Sequence, residues 1–152
     1  MSDIKIIATG DKWIGKGVKN TLSTVKKIID NTEDSLILTV YIISETSILE
    51  HIKKALERGI RIDIFICGPE NENKSIMSNI LELEMKYNYL NVFRVYDAVL
   101  HAKVMVSDYK KVLIGSANLT RWGLVKNYEL GILIDDSDVA LKIGSTIKRL
   151  IE

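Results

Sequence analysis

The chain of 152 residues is short of several things at once. It has a single cysteine, Cys67, so no disulfide can form within it. Cys67 ends an apolar run and is expected to be a small buried side chain. There is one proline, Pro69, and no repeat, linker or low-complexity segment, so residues 1–152 read as a single domain. No apolar run approaches the roughly 18 residues that a membrane span needs. The start, Met1-Ser2-Asp3-Ile4-Lys5-Ile6-Ile7, lacks the basic stretch and long apolar core of an export signal. A cytoplasmic location without stable membrane association is therefore expected. Neither sign of charge dominates: 21 Lys and Arg face 20 Asp and Glu, for a net charge of +1. A strongly basic chain would argue for nucleic acid by charge alone. Here any site for a polyanion has to be a local patch.

What is present is ordinary for a globular protein: 47% hydrophobic and 27% charged residues, enough to bury a core. Strand and helix patterns alternate along it. Leu36–Ile43 is a β-branched run of strand length, and Arg61–Cys67 turns from alternating to wholly apolar, as a strand entering the interior does. Ser47–Glu57 places Ile48, Leu49, Ile52 and Leu56 on one helical face, with Gly59 as the stop. Ser75–Tyr87 is amphipathic through Ile76, Met77, Ile80, Leu81 and Leu83. Gly68-Pro69-Glu70-Asn71 is the clearest loop signal. Short strands are expected at 91–96, 102–107, 111–115 and 130–134, and flanking helices at 18–30 and 137–151. Early strand–helix alternation followed by strands in quick succession implies an α/β fold, a mixed β-sheet flanked by helices on both faces.

One stretch stands apart. His101-Ala102-Lys103 is followed by Asp108 and by Gly115-Ser116-Ala117-Asn118, which reads H-x-K-x4-D-x6-G-S-x-N and occurs once. Six positions agree at fixed spacing within eighteen residues, which chance supplies roughly once in a million chains of this size. Period-2 geometry puts His101, Lys103 and Met105 on one strand face, so the two functional groups project together. Asp108-Tyr109-Lys110 is the expected turn of a hairpin. Asn127 and Glu129 follow Asn118, and upstream Tyr41-Ile42-Ile43-Ser44 leads to a helix ending in Ala55-Leu56-Glu57-Arg58-Gly59.

Over roughly residues 36–134 this pattern resembles the phospholipase D superfamily, and most of all its small single-motif, homodimeric endonucleases. The resemblance implies phosphodiester cleavage without metal or other cofactor. His101 would be the nucleophile, forming a phosphohistidine. Lys103 and Asn118 would bind phosphate oxygens, Ser116 would donate its hydroxyl to the phosphate or to a neighbour, and Glu129 would fix the tautomer of an imidazole. Gly115 permits close backbone approach, and Asp108 is structural. Members of the family need two such motifs per active site. One motif per chain thus implies a C2 homodimer with the site on its axis. The partners expected are a second copy and nucleic acid, most readily DNA, with Arg121, Trp122 and Lys126 as a candidate groove and Lys110 and Lys111 along its rim. A phospholipase or phosphatidyltransferase acting on lipid phosphodiesters is an alternative, as is a nucleic-acid-binding or dimerisation module of a helicase or restriction-defence assembly.

Other features read more plainly. Trp122 is assigned to core or dimer packing before base stacking. His51 sits on the polar side of a helix and is expected to be solvated. Gly15-Lys16-Gly17 lacks phosphate-loop spacing. Asp135, Asp136 and Asp138 suit a helix N-terminus better than a metal.

Overall fold

A computed structural model describes residues 2–152. One eight-stranded sheet runs β2 (Lys19–Asn20), β1 (Asp3–Thr9), β8 (Glu129–Asp135), β7 (Lys111–Gly115), β6 (Val104–Ser107), β3 (Ser35–Val40), β4 (Arg61–Cys67), β5 (Leu90–Val95). β3, β4 and β5 are parallel, because α2 (Thr46–Glu57) and α4 (Ile76–Lys86) carry the chain back between them. The strands from β1 through β3 pair antiparallel.

Side-chain alternation divides the core between the two faces. Leu36, Leu38, Val40, Met105 and Leu113 pack with α1 (Thr21–Asn31), α2 and α4. Ile37, Val104, Val106 and Val112 pack with Ala140, Ile143 and Ile147 of α5 (Ser137–Lys148). β4 is buried almost throughout, as its apolar run requires, and Cys67 lies inside with it. No described helix is long and apolar enough to cross a membrane.

Several expectations shift. β1 gave no clear signal, yet it pairs with β8 along its whole length. The helix expected from Val18 starts at Thr21, because Lys19 and Asn20 pair with β1; Asn20 caps the helix by accepting from Ser23 N at 3.0 Å. Gly68–Asn71 is not an open loop but one helical turn, α3, with Pro69 in its first positions. Leu81 lies off the buried face of α4, half exposed. The acidic cluster behaves as expected: Asp136 caps α5, accepting from Asp138 N and Val139 N.

The β6–β7 hairpin turns through Asp108 and Tyr109, both at positive φ (54° and 50°). Asp108 tolerates that conformation and uses its side chain. Its carboxylate accepts from Glu33 N, Asp34 N and Ser35 N at 2.7–2.9 Å, fastening the hairpin to the start of β3. Burial pushes this carboxyl up, but the three N–H donors and Lys110 outweigh it, so the pKa lies below the ordinary value.

Candidate active site

β6 begins at Val104, not at Ala102. The cause is Thr39, whose hydroxyl donates to Ala102 O and accepts from Val104 N, both at 2.9 Å. That side chain closes the β3–β6 ladder, and His101-Ala102-Lys103 leave it as an extended segment across the sheet's end. The His101 imidazole lies against Tyr41, ring centres 4.7 Å apart and tilted by 60°. Lys103 Nζ donates to His101 O at 2.8 Å and sits 3.4 Å from both ring nitrogens. It is also 5.4 Å from the centre of the Tyr41 ring. Burial lowers the pKa of Lys103, and the Glu129 carboxylate partly offsets this.

β7 and β8 end beside this segment. Gly115 faces Gly131 in register, and a Cβ on Gly115 would lie 2.9 Å from both Gly131 Cα and Leu130 O. Only a glycine pair lets the strands meet this closely. The Ser116 hydroxyl donates to Glu129 Oε2 and accepts from Leu130 N. Asn127 Nδ2 donates to Glu129 Oε1 at 3.0 Å, so both Glu129 oxygens are engaged by its own chain. No bond joins Glu129 to His101 within the chain.

Asn118 Oδ1 is buried and has no partner among the described residues. Its backbone is wedged in place by Gly123, where a Cβ would come within 2.3 Å of Asn118 O. Gly123 belongs to a π-helical turn, Trp122–Lys126. Its carbonyl accepts from the buried Thr9 hydroxyl at 2.8 Å, and its N–H donates to Thr120 Oγ1 at 3.0 Å. A cavity of about 40 Å³ collects Tyr41, Lys103, Gly115, Asn118 and Glu129 at its polar end, above Leu38, Val40, Met105 and Leu113.

The structure therefore gathers His101, Lys103, Ser116, Asn118 and Glu129 at one sheet end, and leaves Asp108 at the other. Lys110 and Lys111 go with Asp108, and Lys111 approaches Asp135 at 3.8 Å, so they do not line a rim near His101. Trp122 is 67% exposed and takes no part in this chain's core; Arg121 and Lys126 flank it, also exposed. His51 is not freely solvated: Nδ1 lies 2.7 Å from Asp30 Oδ1. Thr9, Gly123 and Gly131 carry no motif that marks them, and Tyr41 was read only as part of a strand–helix segment, with no role at the site. Only their placement shows their part.

Residues 25–151 match the family model described as cardiolipin synthase, PLD-like domain. The chain is 28% identical over 158 residues to the DISARM protein DrmC of Bacillus paralicheniformis, covering 99% of this chain and 64% of that one. It is 29% identical over 141 residues to cardiolipin synthase A of Buchnera aphidicola, covering 90% of this chain and 28% of that one. It thus spans less than two thirds of the length of these curated relatives. Among solved structures, NucT from Helicobacter pylori superposes with a TM-score of 0.85 at 23% identity, covering 99% of this chain and 96% of that one.

Proposed function

The chain belongs to the phospholipase D-like family, and from that premise we propose that it is a metal-independent phosphodiesterase, a sequence-nonspecific DNA endonuclease whose active site is shared by two copies. The observation that carries this reading is the half-built site. One imidazole, one lysine and one asparagine whose Oδ1 has no partner among the described residues meet at a single sheet end.

The chemistry needs a second imidazole. His101 attacks phosphorus with a ring-nitrogen lone pair while the P–O bond to the leaving nucleoside breaks. The leaving oxygen takes its proton from the partner's protonated His101. Water then attacks the phosphohistidine and gives its proton to that now neutral imidazole, and the P–N bond breaks. Lys103 and Asn118 of both copies hold the non-bridging oxygens. A lysine about 4 Å from the developing charge, at an effective dielectric near 20, is worth roughly 4 kcal/mol before desolvation. Glu129, pre-aligned by Ser116 and Asn127, orients an imidazole at the axis.

The molecule's surface supports a second copy. Ile4, Ile6, Leu130 and Ile132 are exposed on β1 and β8, on the face where α5 packs its buried side over β6, β7 and β3. Exposed apolar groups in such a row mark an interaction surface, and this one begins one residue beyond Glu129. Arg121, Trp122 and Lys126 supply charge and a stacking face for a strand beside the site.

A second reading, phosphatidyl transfer on lipid phosphodiesters, is favoured by the cardiolipin synthase relatives. The test is plasmid and single-stranded DNA cleavage in excess EDTA, beside turnover of anionic lipid vesicles. DNA cleavage that persists in EDTA and vanishes in His101→Ala is the expected result. Lipid turnover without DNA cleavage would replace the first reading by the second.

A further inference from the structure

We infer that Tyr41 is a positioning residue for His101, and that Asn71 is the buried bracket holding Tyr41 in place. β3 ends at Val40, and residues 41–45 beyond it lie in no strand. They are nevertheless fastened on both sides. Asn71 is 1% exposed. Its amide donates to Tyr41 O at 2.7 Å and to Cys67 O at 2.8 Å, and accepts from Ile43 N at 3.2 Å. Two of these bonds go to backbone groups beyond the end of β3, and the third ties them to Cys67 at the end of β4. On the other side, Leu119 N donates to Ile42 O, and Leu119 O accepts from Ser44 N and Glu45 N, at 3.0–3.2 Å. One short segment thus connects the neighbour of Asn118 with the residue that touches His101.

The imidazole has few other constraints. It is exposed, and among the described residues its ring nitrogens have no carboxylate or carbonyl partner; Lys103 Nζ approaches them. The face it rests on is Tyr41, which Lys103 Nζ also approaches. Glu70 lies beside the Tyr41 phenol, and burial together with that carboxylate pushes the phenol's pKa up, so the ring stays neutral. Without this face, the His101 side chain is free to visit its other rotamers. Misplacement of a reacting group by about 1 Å costs on the order of 100-fold in rate.

The kinetic consequence rests on the nuclease reading; the orientation itself does not. The chain has two histidines, His51 and His101, so their ring resonances can be resolved by NMR in the intact 152-residue chain. His51, held by Asp30, serves as the internal control. Tyr41→Leu is expected to move the His101 ring signals by removing the aromatic ring current, and to leave those of His51 in place. In EDTA cleavage assays the same variant is expected to lose kcat by about 10–100-fold with KM little changed, and Tyr41→Phe to restore most of it. If Tyr41→Leu loses the folded His51 signal, Tyr41→Trp decides instead, since a larger ring on this half-exposed position still has to move the His101 signals. Unmoved His101 signals in these variants, or a Tyr41→Leu enzyme with wild-type kcat, would overturn the inference. A wild-type protein that cleaves no DNA sinks the nuclease reading while the NMR comparison still decides this one.

Discussion

At the turn of the β6–β7 hairpin, Asp108 accepts three backbone N–H groups and its chemistry is complete. At the open end, Asn118 Oδ1 is buried without a partner among the described residues, and Lys103 leans on the carbonyl of His101. One motif spans both ends. The turn end ties a hairpin to the strand beside it and asks nothing of the surroundings. The open end keeps a cation, an imidazole and an amide with capacity to spare, beside a carboxylate already aligned from within. A buried unpaired polar atom costs about 1–3 kcal/mol, and proteins keep such costs where function requires them.

The sharpest way to separate the two ends is substitution. His101→Ala should lower DNA cleavage in EDTA by about 10⁴-fold or more, measured on supercoiled plasmid, without loss of thermal stability. Lys103→Met should cost about 10³-fold in the same assay, the value of one charge realised in the transition state. Asp108→Ala should do the reverse. Cleavage per folded molecule is retained, while urea denaturation at pH 7 shows a loss of about 2–4 kcal/mol from three broken charge-assisted bonds.

The pH dependence follows from the same contrast. The Asp108 carboxyl is held below its ordinary value in the folded state. Its contribution is therefore full above the unfolded pKa, near 3.9, and disappears as pH falls through the folded value. The stability gap between wild type and Asp108→Asn should narrow below about pH 4. A gap that stays constant to pH 2 would remove the carboxylate from this account.

Gly123→Ala should blur the comparison with the smallest effect. Its Cβ would collide with Asn118 O, costing about 1–3 kcal/mol in stability. Cleavage should fall about tenfold from the displaced amide, read as kcat.

How much of this was legible beforehand differs by the kind of signal. That His101, Lys103, Asn118 and Glu129 lie together at one sheet end could be read from the fixed spacing of their residue types. The parallel β3–α2–β4 unit was legible from its periodicity and Gly59. β1 was not, because its alternation stops after Asp3–Ile6 and its register is set by β8, 120 to 132 positions away. Gly68–Asn71 misled because proline and glycine mark both turns and first helical turns. The bond from Ser116 to Glu129 was not legible, since spacing says nothing about where a hydroxyl hydrogen points; it is formed across the β7–β8 pair. Gly123 carries no motif at all, since its importance is a steric contact with Asn118 that only the tertiary structure creates.

The central claim is that one chain holds half a site. Wild-type protein at fixed concentration is co-incubated with a ninefold excess of His101→Ala chains under conditions that exchange subunits, and DNA cleavage is measured in EDTA. If the site lies on a two-fold axis, only about one wild-type chain in ten finds a wild-type partner, and activity per wild-type chain should fall to about one tenth. Activity that is unchanged by the excess, with subunit exchange verified, would mean that each chain is complete and would contradict the account.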